Sequence, residues 1–379
     1  MTSQRRGTPD FLLLFLTFSL VCFGLAFVFS AGMAYKPSNP WYLAIRQSIS
    51  IGMGTVAMFF CMNVDYRKYQ KWIAPFFAGV VGLLFLVPLI GKEVNGAKSW
   101  FYIGSFGLQP TEFAKLAVII YLAVIISKKG ERIREFKRGL VPPLLVICFV
   151  CGLIMLQNDL GSTMILVLVA VLMLIIGGAS LKHIFILGSV FACLGALAVS
   201  VYLLNAGTNN YRVGRITAFL NPWSDPDHSG FQLIQSLYAF GHGGLTGAGF
   251  GQSIQKLHYL PEAHNDFIFS IIGEELGFIG TSFFLLIYLA FLWRGIIIAL
   301  RCQDVFGTLA GIGIVSMIGI QAFINIGGVT NSIPMTGVTL PLISYGGTSM
   351  LVTLMGLGIL LSISREQNKP EKEPTKKRA

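Results

Sequence analysis

The chain has 379 residues, of which 54% are hydrophobic and only 12% charged, whereas charged residues make up about a quarter of a soluble domain. That composition excludes an ordinary soluble globular protein and calls for a bilayer as solvent. The net charge of +11 is scattered over short segments without a dedicated basic domain, so it reads as a topology signal and no nucleic-acid partner is expected.

Apolar windows long enough to span about 30 Å of hydrocarbon fall, in chain order, near residues 11–32, 44–63, 72–90, 110–127, 140–157, 161–179, 183–204, 266–293, 306–326 and 345–364. The first lacks a small-residue cleavage site and reads as a span, not a signal peptide. The fifth and sixth are separated only by Gln157, Asn158, Asp159 and Leu160, which predicts a tight helical hairpin or one interrupted passage. The expected fold is therefore an all-α integral membrane protein of about ten transmembrane helices. It forms a single polytopic domain over residues 1–365, followed by a disordered tail over 366–379 that is rich in Lys, Glu and Pro.

Basic residues set the orientation. With the N-terminus inside, the cytoplasmic segments hold Arg5, Arg6, Arg67, Lys68, Lys71, the run from Lys128 to Arg138, Lys182, Arg294, Arg301 and the tail from Arg365, which together account for 20 of the 28 lysines and arginines. Both termini are then cytoplasmic. The outer side receives a loop of about 60 residues, 206–265, far longer than connections usually are and so a place to look for function. Segments near 91–110 and 327–344, dense in Gly, Pro, Ser and Thr, lie on that same side.

The polar motifs follow this asymmetry. NGAKSW offers Lys98 beside Trp100 and Phe101, aromatics that interfacial anchoring also explains. QPTEFAK opens the fourth span, with Pro110 suited to a first helical turn and Glu112 and Lys115 three apart on one face, as an ion pair or a solvated functional pair. Asp159 in QNDLGS is a turn, cap or site residue. YRVGRI places Arg212 and Arg215 three apart on the side that basic residues usually avoid, where two guanidinium groups can grip a pyrophosphate or lipid headgroups. The glycine-rich run Gly241–Ser253 lacks the G-K-[ST] ending of a nucleotide loop. In YLPEAHNDFIFSIIGEELG, Asp266 stands where the apolar run begins, preceded by Glu262, His264 and Asn265. A carboxylate there serves a cavity or a reaction, or Asn265 or Asp266 caps the helix. Glu274, eight positions on, falls roughly on the face of Asp266 in a continuous helix, so one of Glu274 and Glu275 is expected to line the cavity. Finally NSIPMTGVTLPLISYGGTS, which contains Ser344, is too broken by Pro and Gly for a helix. Such backbone survives at membrane depth only when buried in protein or lining a wet cavity.

Taken together and in this order, NGAKSW, QPTEFAK, QNDLGS, YRVGRI, YLPEAHNDFIFSIIGEELG and TLPLISYGGTS resemble the SEDS family of cell-wall synthases (RodA, FtsW, SpoVE), and the PEAH form is more similar to the FtsW and SpoVE branch. Asn158, Asn265 and His242 stand where that family more often has Pro, Thr and Ser. The resemblance implies a peptidoglycan glycosyltransferase that polymerises lipid II and undecaprenyl-pyrophosphate-linked glycan on the outer face of the plasma membrane, together with a class B penicillin-binding transpeptidase. It makes Asp266 the catalytic residue and general base. Glu112, Lys115, Arg212, Arg215, Lys98, Asp159, His264, Glu274 and Ser344 are expected around the substrate, with a divalent cation, Mg²⁺ or Mn²⁺, held in part by Glu112 and Asp266. A lipid II flippase or a noncatalytic scaffold for the transpeptidase are the alternative functions.

Overall fold

The computed structural model describes residues 7–94, 97–103, 106–190, 193, 218–226, 228 and 230–368. Among these, eight helices are long and apolar enough to cross a membrane, and they make the chain a multi-pass membrane protein. The first three are α1 (Phe11–Gly32), α2 (Tyr42–Asn63) and α3 (Tyr66–Ile90), followed by α4 (Pro110–Lys129) and by α5 (Val141–Met155), which a π turn at Phe136–Leu140 extends. The sixth and seventh windows give shorter apolar helices, α6 (Leu160–Ile176) and α7 (Leu181–Val190). The last three spanning helices are α9 (Ile268–Leu300), α10 (Val305–Val329) and α11 (Gly347–Gln367), and an additional helix, α8 (Phe231–Gly243), precedes them within the long loop.

Local chemistry explains where several of these helices begin. Asp10 caps α1 by accepting from the Leu13 N–H at 2.8 Å, Asp65 caps α3, and Asp159 caps α6 through the Ser162 N–H at 2.9 Å. Pro110 opens α4, where a missing N–H is harmless, and Glu112 sits in the first turn where the helix dipole favours an anion. Residues 156–159 turn α5 directly into α6, and the two helices pack together, so the hairpin alternative is the correct one.

Burial identifies the centre. Of the apolar stretch of α4, 78% is buried, as is 78% of that of α11 and 72% of that of α10, whereas only 22% of that of α3 is. The first three form the middle of the bundle. Exposed side chains such as Phe60, Trp72, Leu89 and Phe283 cover its outside, as a lipid-facing surface requires.

Three features depart from the helical expectation. Residues 92–108 form a small antiparallel sheet, β1 (Lys92–Val94), β2 (Ala97–Ile103) and β3 (Phe106–Leu108), in that order, with Val94 opposite Ala97 and Ile103 opposite Phe106. In the sequence, Asn95-Gly96 is a strong signal for a hairpin. The long loop is not uniformly irregular, because α8 packs its Phe240 ring against Phe269, and its Ser236 hydroxyl bonds Ser270 at 2.7 Å and the Val329 carbonyl at 2.6 Å. Of the residues expected in the tail, Glu366 and Gln367 are helical, and Glu366 pairs with Arg67 at 3.1 Å.

Helix α9 is broken at Gly277 (φ 65°, ψ −171°). There the helical ladder is exchanged for bonds to the long loop. The Glu274 and Glu275 carbonyls accept from Ala248 and Gly249 N–H, and the Phe278 and Ile279 N–H donate to Gly244 and Leu245. Backbones this close exclude a side chain, since a Cβ on Gly277 would lie 2.2 Å from the Gly247 nitrogen.

Candidate active site

Lys115 is the most deeply buried charge of the site, 1% exposed. Its ammonium donates to Glu112 at 2.8 Å and to the Gln321 carbonyl oxygen of α10 at 2.8 Å. Gln321 in turn donates to the Thr339 carbonyl at 3.1 Å. One helical turn further on, roughly 6 Å along the axis, Asn325 donates to two carbonyls, those of Asp266 and Val338, each at 2.7 Å. The two amides of α10 thus tie three things together: the Glu112–Lys115 pair, the broken segment around Val338, and the backbone of Asp266.

Asp266 is half-buried and lies just before α9. The cap position belongs to Phe267, whose ring offers no acceptor. Asp266 and Glu274 do not share a face of one helix, because α9 starts at Ile268. Neighbouring Asn265 donates to Glu262 at 2.5 Å, and Glu262 holds a left-handed backbone (φ 56°) that bends the chain there. His264 is 9% exposed and packs edge-on between the rings of Tyr35 at 5.0 Å and Tyr345 at 5.7 Å. Burial holds its imidazole below the ordinary histidine value against the opposing pull of Glu262, so near pH 7 it contributes a neutral ring.

The broken segment between α10 and α11 is embedded in protein: Leu340, Leu342, Ile343 and Ser344 are all buried. Gln47 of α2, fully buried, clamps it by donating to the Ser344 carbonyl and accepting from the Gly346 N–H, both at 3.2 Å. The Tyr288 hydroxyl donates to the Pro341 carbonyl. Thr348 joins the sheet to α11 by donating to the Gly107 carbonyl at 2.8 Å.

Three expected substrate contacts, Glu274, Asp159 and Ser344, bond within the protein itself, while Lys98 is exposed. Glu274 is fully buried and accepts from the Ile254 N–H, the Ser253 hydroxyl and the His242 ring, so it anchors the long loop instead of lining a cavity. Its neighbour Glu275 pairs with buried Lys256 at 3.0 Å and accepts from Ser30 of α1 at 2.6 Å, which completes that anchor. Ser344 accepts from the Leu340 N–H at 2.8 Å and shapes a turn. Asp159 is a helix cap, and Lys98 is exposed on β2 opposite Glu93. Arg212 and Arg215 lie outside the described residues.

Among the described residues, no group of three or more His, Cys, Asp and Glu side chains is placed to hold a metal, and Glu112 already shares one oxygen with Lys115.

The sequence and the fold of this bundle have known counterparts. The model of the FtsW/RodA/SpoVE cell cycle proteins matches residues 11–369, and the chain belongs to that family. It is 45% identical to the stage V sporulation protein E of Bacillus subtilis, over 96% of this chain and 99% of that one. It is 42% identical to the probable peptidoglycan glycosyltransferase FtsW of Geobacter metallireducens, over 94% of each. Among solved structures, a chain from a peptidoglycan synthase complex that coordinates polymerization and crosslinking superposes with a TM-score of 0.78 at 30% identity, covering 96% of this chain and 99% of that one.

Proposed function

We propose that this chain is a peptidoglycan glycosyltransferase that polymerises lipid II on the outer face of the plasma membrane, with Asp266 as general base and a class B penicillin-binding transpeptidase as partner. The observation that carries the reading is the position of Asp266. It is half-buried at the mouth of α9, and its backbone is fixed by Asn325 on the helix whose Gln321 holds Lys115.

In the reaction, a sugar hydroxyl of one lipid-linked glycan attacks the anomeric carbon of another. Asp266 takes the hydroxyl proton as the new C–O bond forms, and the bond to the lipid-linked pyrophosphate breaks with inversion in a single displacement. Pyrophosphate departs without needing a proton, so the second carboxylic acid of a glycosidase is unnecessary. Lys115, with Arg212 and Arg215, neutralises the departing charge. A Mg²⁺ or Mn²⁺ ion bound by Asp266 and Glu112 would draw further charge from that leaving group.

The test is purified protein, alone and with the transpeptidase, given lipid II in detergent and assayed for glycan chains. Asp266→Asn keeps the shape but cannot take the proton, and is expected to fold normally while losing at least ~100-fold in polymerisation. Near-normal glycan output from that variant would end the assignment.

A further inference from the structure

No helical ladder aims the side chain of Asp266, because residues 261–267 form turns only. Beyond the local bonds to the Glu262 carbonyl, two carbonyls of the stretch are gripped from elsewhere in the chain. The Asp266 carbonyl accepts from Asn325 at 2.7 Å, and the His264 carbonyl accepts from the Tyr345 N–H at 2.9 Å. Asn325 stands on α10, a regular helix, whereas Tyr345 lies where the chain before α11 has neither helix nor strand.

The backbone there is strained. Leu342 is buried with φ 67°, a left-handed conformation that a bulky residue keeps only where its surroundings impose it, and such strain gathers at functional sites. Helices α1 and α9 press on this turn: a Cβ on Gly24 would lie 2.6 Å from the Leu342 carbonyl oxygen, and the Tyr288 hydroxyl donates to the Pro341 carbonyl at 3.2 Å. Helix α2 acts on the peptide that grips His264. The Ser344 carbonyl and the Tyr345 N–H belong to one planar trans peptide and so point in opposite directions. Gln47, with no exposed surface, donates to that carbonyl at 3.2 Å and accepts from the Gly346 N–H at 3.2 Å. The Gln47 amide, the Ser344–Tyr345 peptide and the His264 carbonyl therefore form one chain of hydrogen bonds, in which each bond polarises the next.

We propose that Gln47 is a positioning residue for Asp266: it sets the plane of the Ser344–Tyr345 peptide, and that peptide, together with Asn325, fixes the direction of the carboxylate. The proposal rests on the general-base reading. Reacting groups misplaced by about 1 Å cost on the order of 100-fold in rate, and loosening one of two grips is expected to cost about tenfold.

The experiment compares purified full-length variants polymerising lipid II in detergent. Gln47→Met fills similar space and makes neither bond, and Gln47→Asn keeps an amide too short to reach both groups. Each is expected to lower kcat about tenfold with KM unchanged, because Gln47 acts on the base and not on substrate binding. Should Gln47→Met fail to fold, judged by its melting temperature, Gln47→Asn decides. In an Asp266→Glu background, where the carboxylate is already displaced, the same change is expected to cost less than about twofold, since a positioning residue and its base act as a unit. Unchanged kcat, a change confined to KM, or a full further tenfold loss in that background would overturn the proposal. Near-normal polymerisation by Asp266→Asn would instead remove the general-base reading. Because that variant is measured separately, the two failures are distinguished.

Discussion

Lys115 has little freedom: its ammonium is inside the protein and bonded to Glu112 and Gln321. Removing one partner of such a pair leaves an uncompensated buried charge, which is costlier than losing both. Glu112→Gln and Lys115→Met are each expected to reduce glycan synthesis strongly, and the double variant to lose little more than either alone, as for residues that act as a unit. Rates from all three purified variants check this, and additive losses would mean separate roles. The charged pair is legible in the sequence because a spacing of three places both residues on one helix face. Gln321 and Asn325 are not read from it, although two amides four apart in an apolar run, IQAFIN, are the available signal. Their partners are carbonyls of residues distant in the chain, which no local pattern identifies.

At the scale of elements, the break in α9 decides how the long loop meets the membrane domain. The left-handed conformation at Gly277 and the backbone contact with Gly247 both exclude a side chain. Gly277→Ala is expected to destabilise the docked loop by about 1–3 kcal/mol. Its signature is a lower melting temperature together with faster proteolysis between residues 243 and 256, and an unchanged cleavage pattern would show that the break does not hold the loop. Hydropathy reads this region as one continuous span, since neither a glycine nor two glutamates interrupt an apolar window for long. Glu274 and Glu275 look like cavity residues in the sequence because their partners, Ser253, Lys256, His242 and Ser30, come from the loop and from α1. The sheet strands are readable from the Asn95-Gly96 turn signal, and the broken segment before α11 is legible because Pro334 and Pro341 exclude a regular helix.

For the whole molecule, membrane class and the order of the helices follow from hydropathy alone, because the bilayer imposes span length on every crossing. What separates a polymerase from a flippase is how polar groups are distributed through the bundle. The buried charges Glu112, Lys115, Lys256, Glu274 and Glu275 lie near the ends of helices joined to the long loop and the sheet, while Asp10 and its partner Arg294 hold another end. Between them the central helices are apolar and closely packed. Ala117, Val118, Ile119, Leu122 and Ala123 of α4 are fully buried, and so are Ile314 of α10 and Leu354 and Leu357 of α11. A saccharide headgroup crossing the bilayer needs a polar route, and these buried apolar side chains do not supply one. The chain in detergent, with no membrane to cross, is therefore expected to make glycan from lipid II. Chelation of divalent cations should slow the reaction, with recovery on adding Mg²⁺ or Mn²⁺. In liposomes the same preparation is expected to move labelled lipid II no faster than protein-free vesicles do. Rapid transbilayer movement by a well-folded preparation that makes no polymer under any metal or partner condition would reverse the conclusion. Polymer formation indifferent to chelation would remove only the cation, leaving Lys115 and the arginines to carry the leaving-group charge.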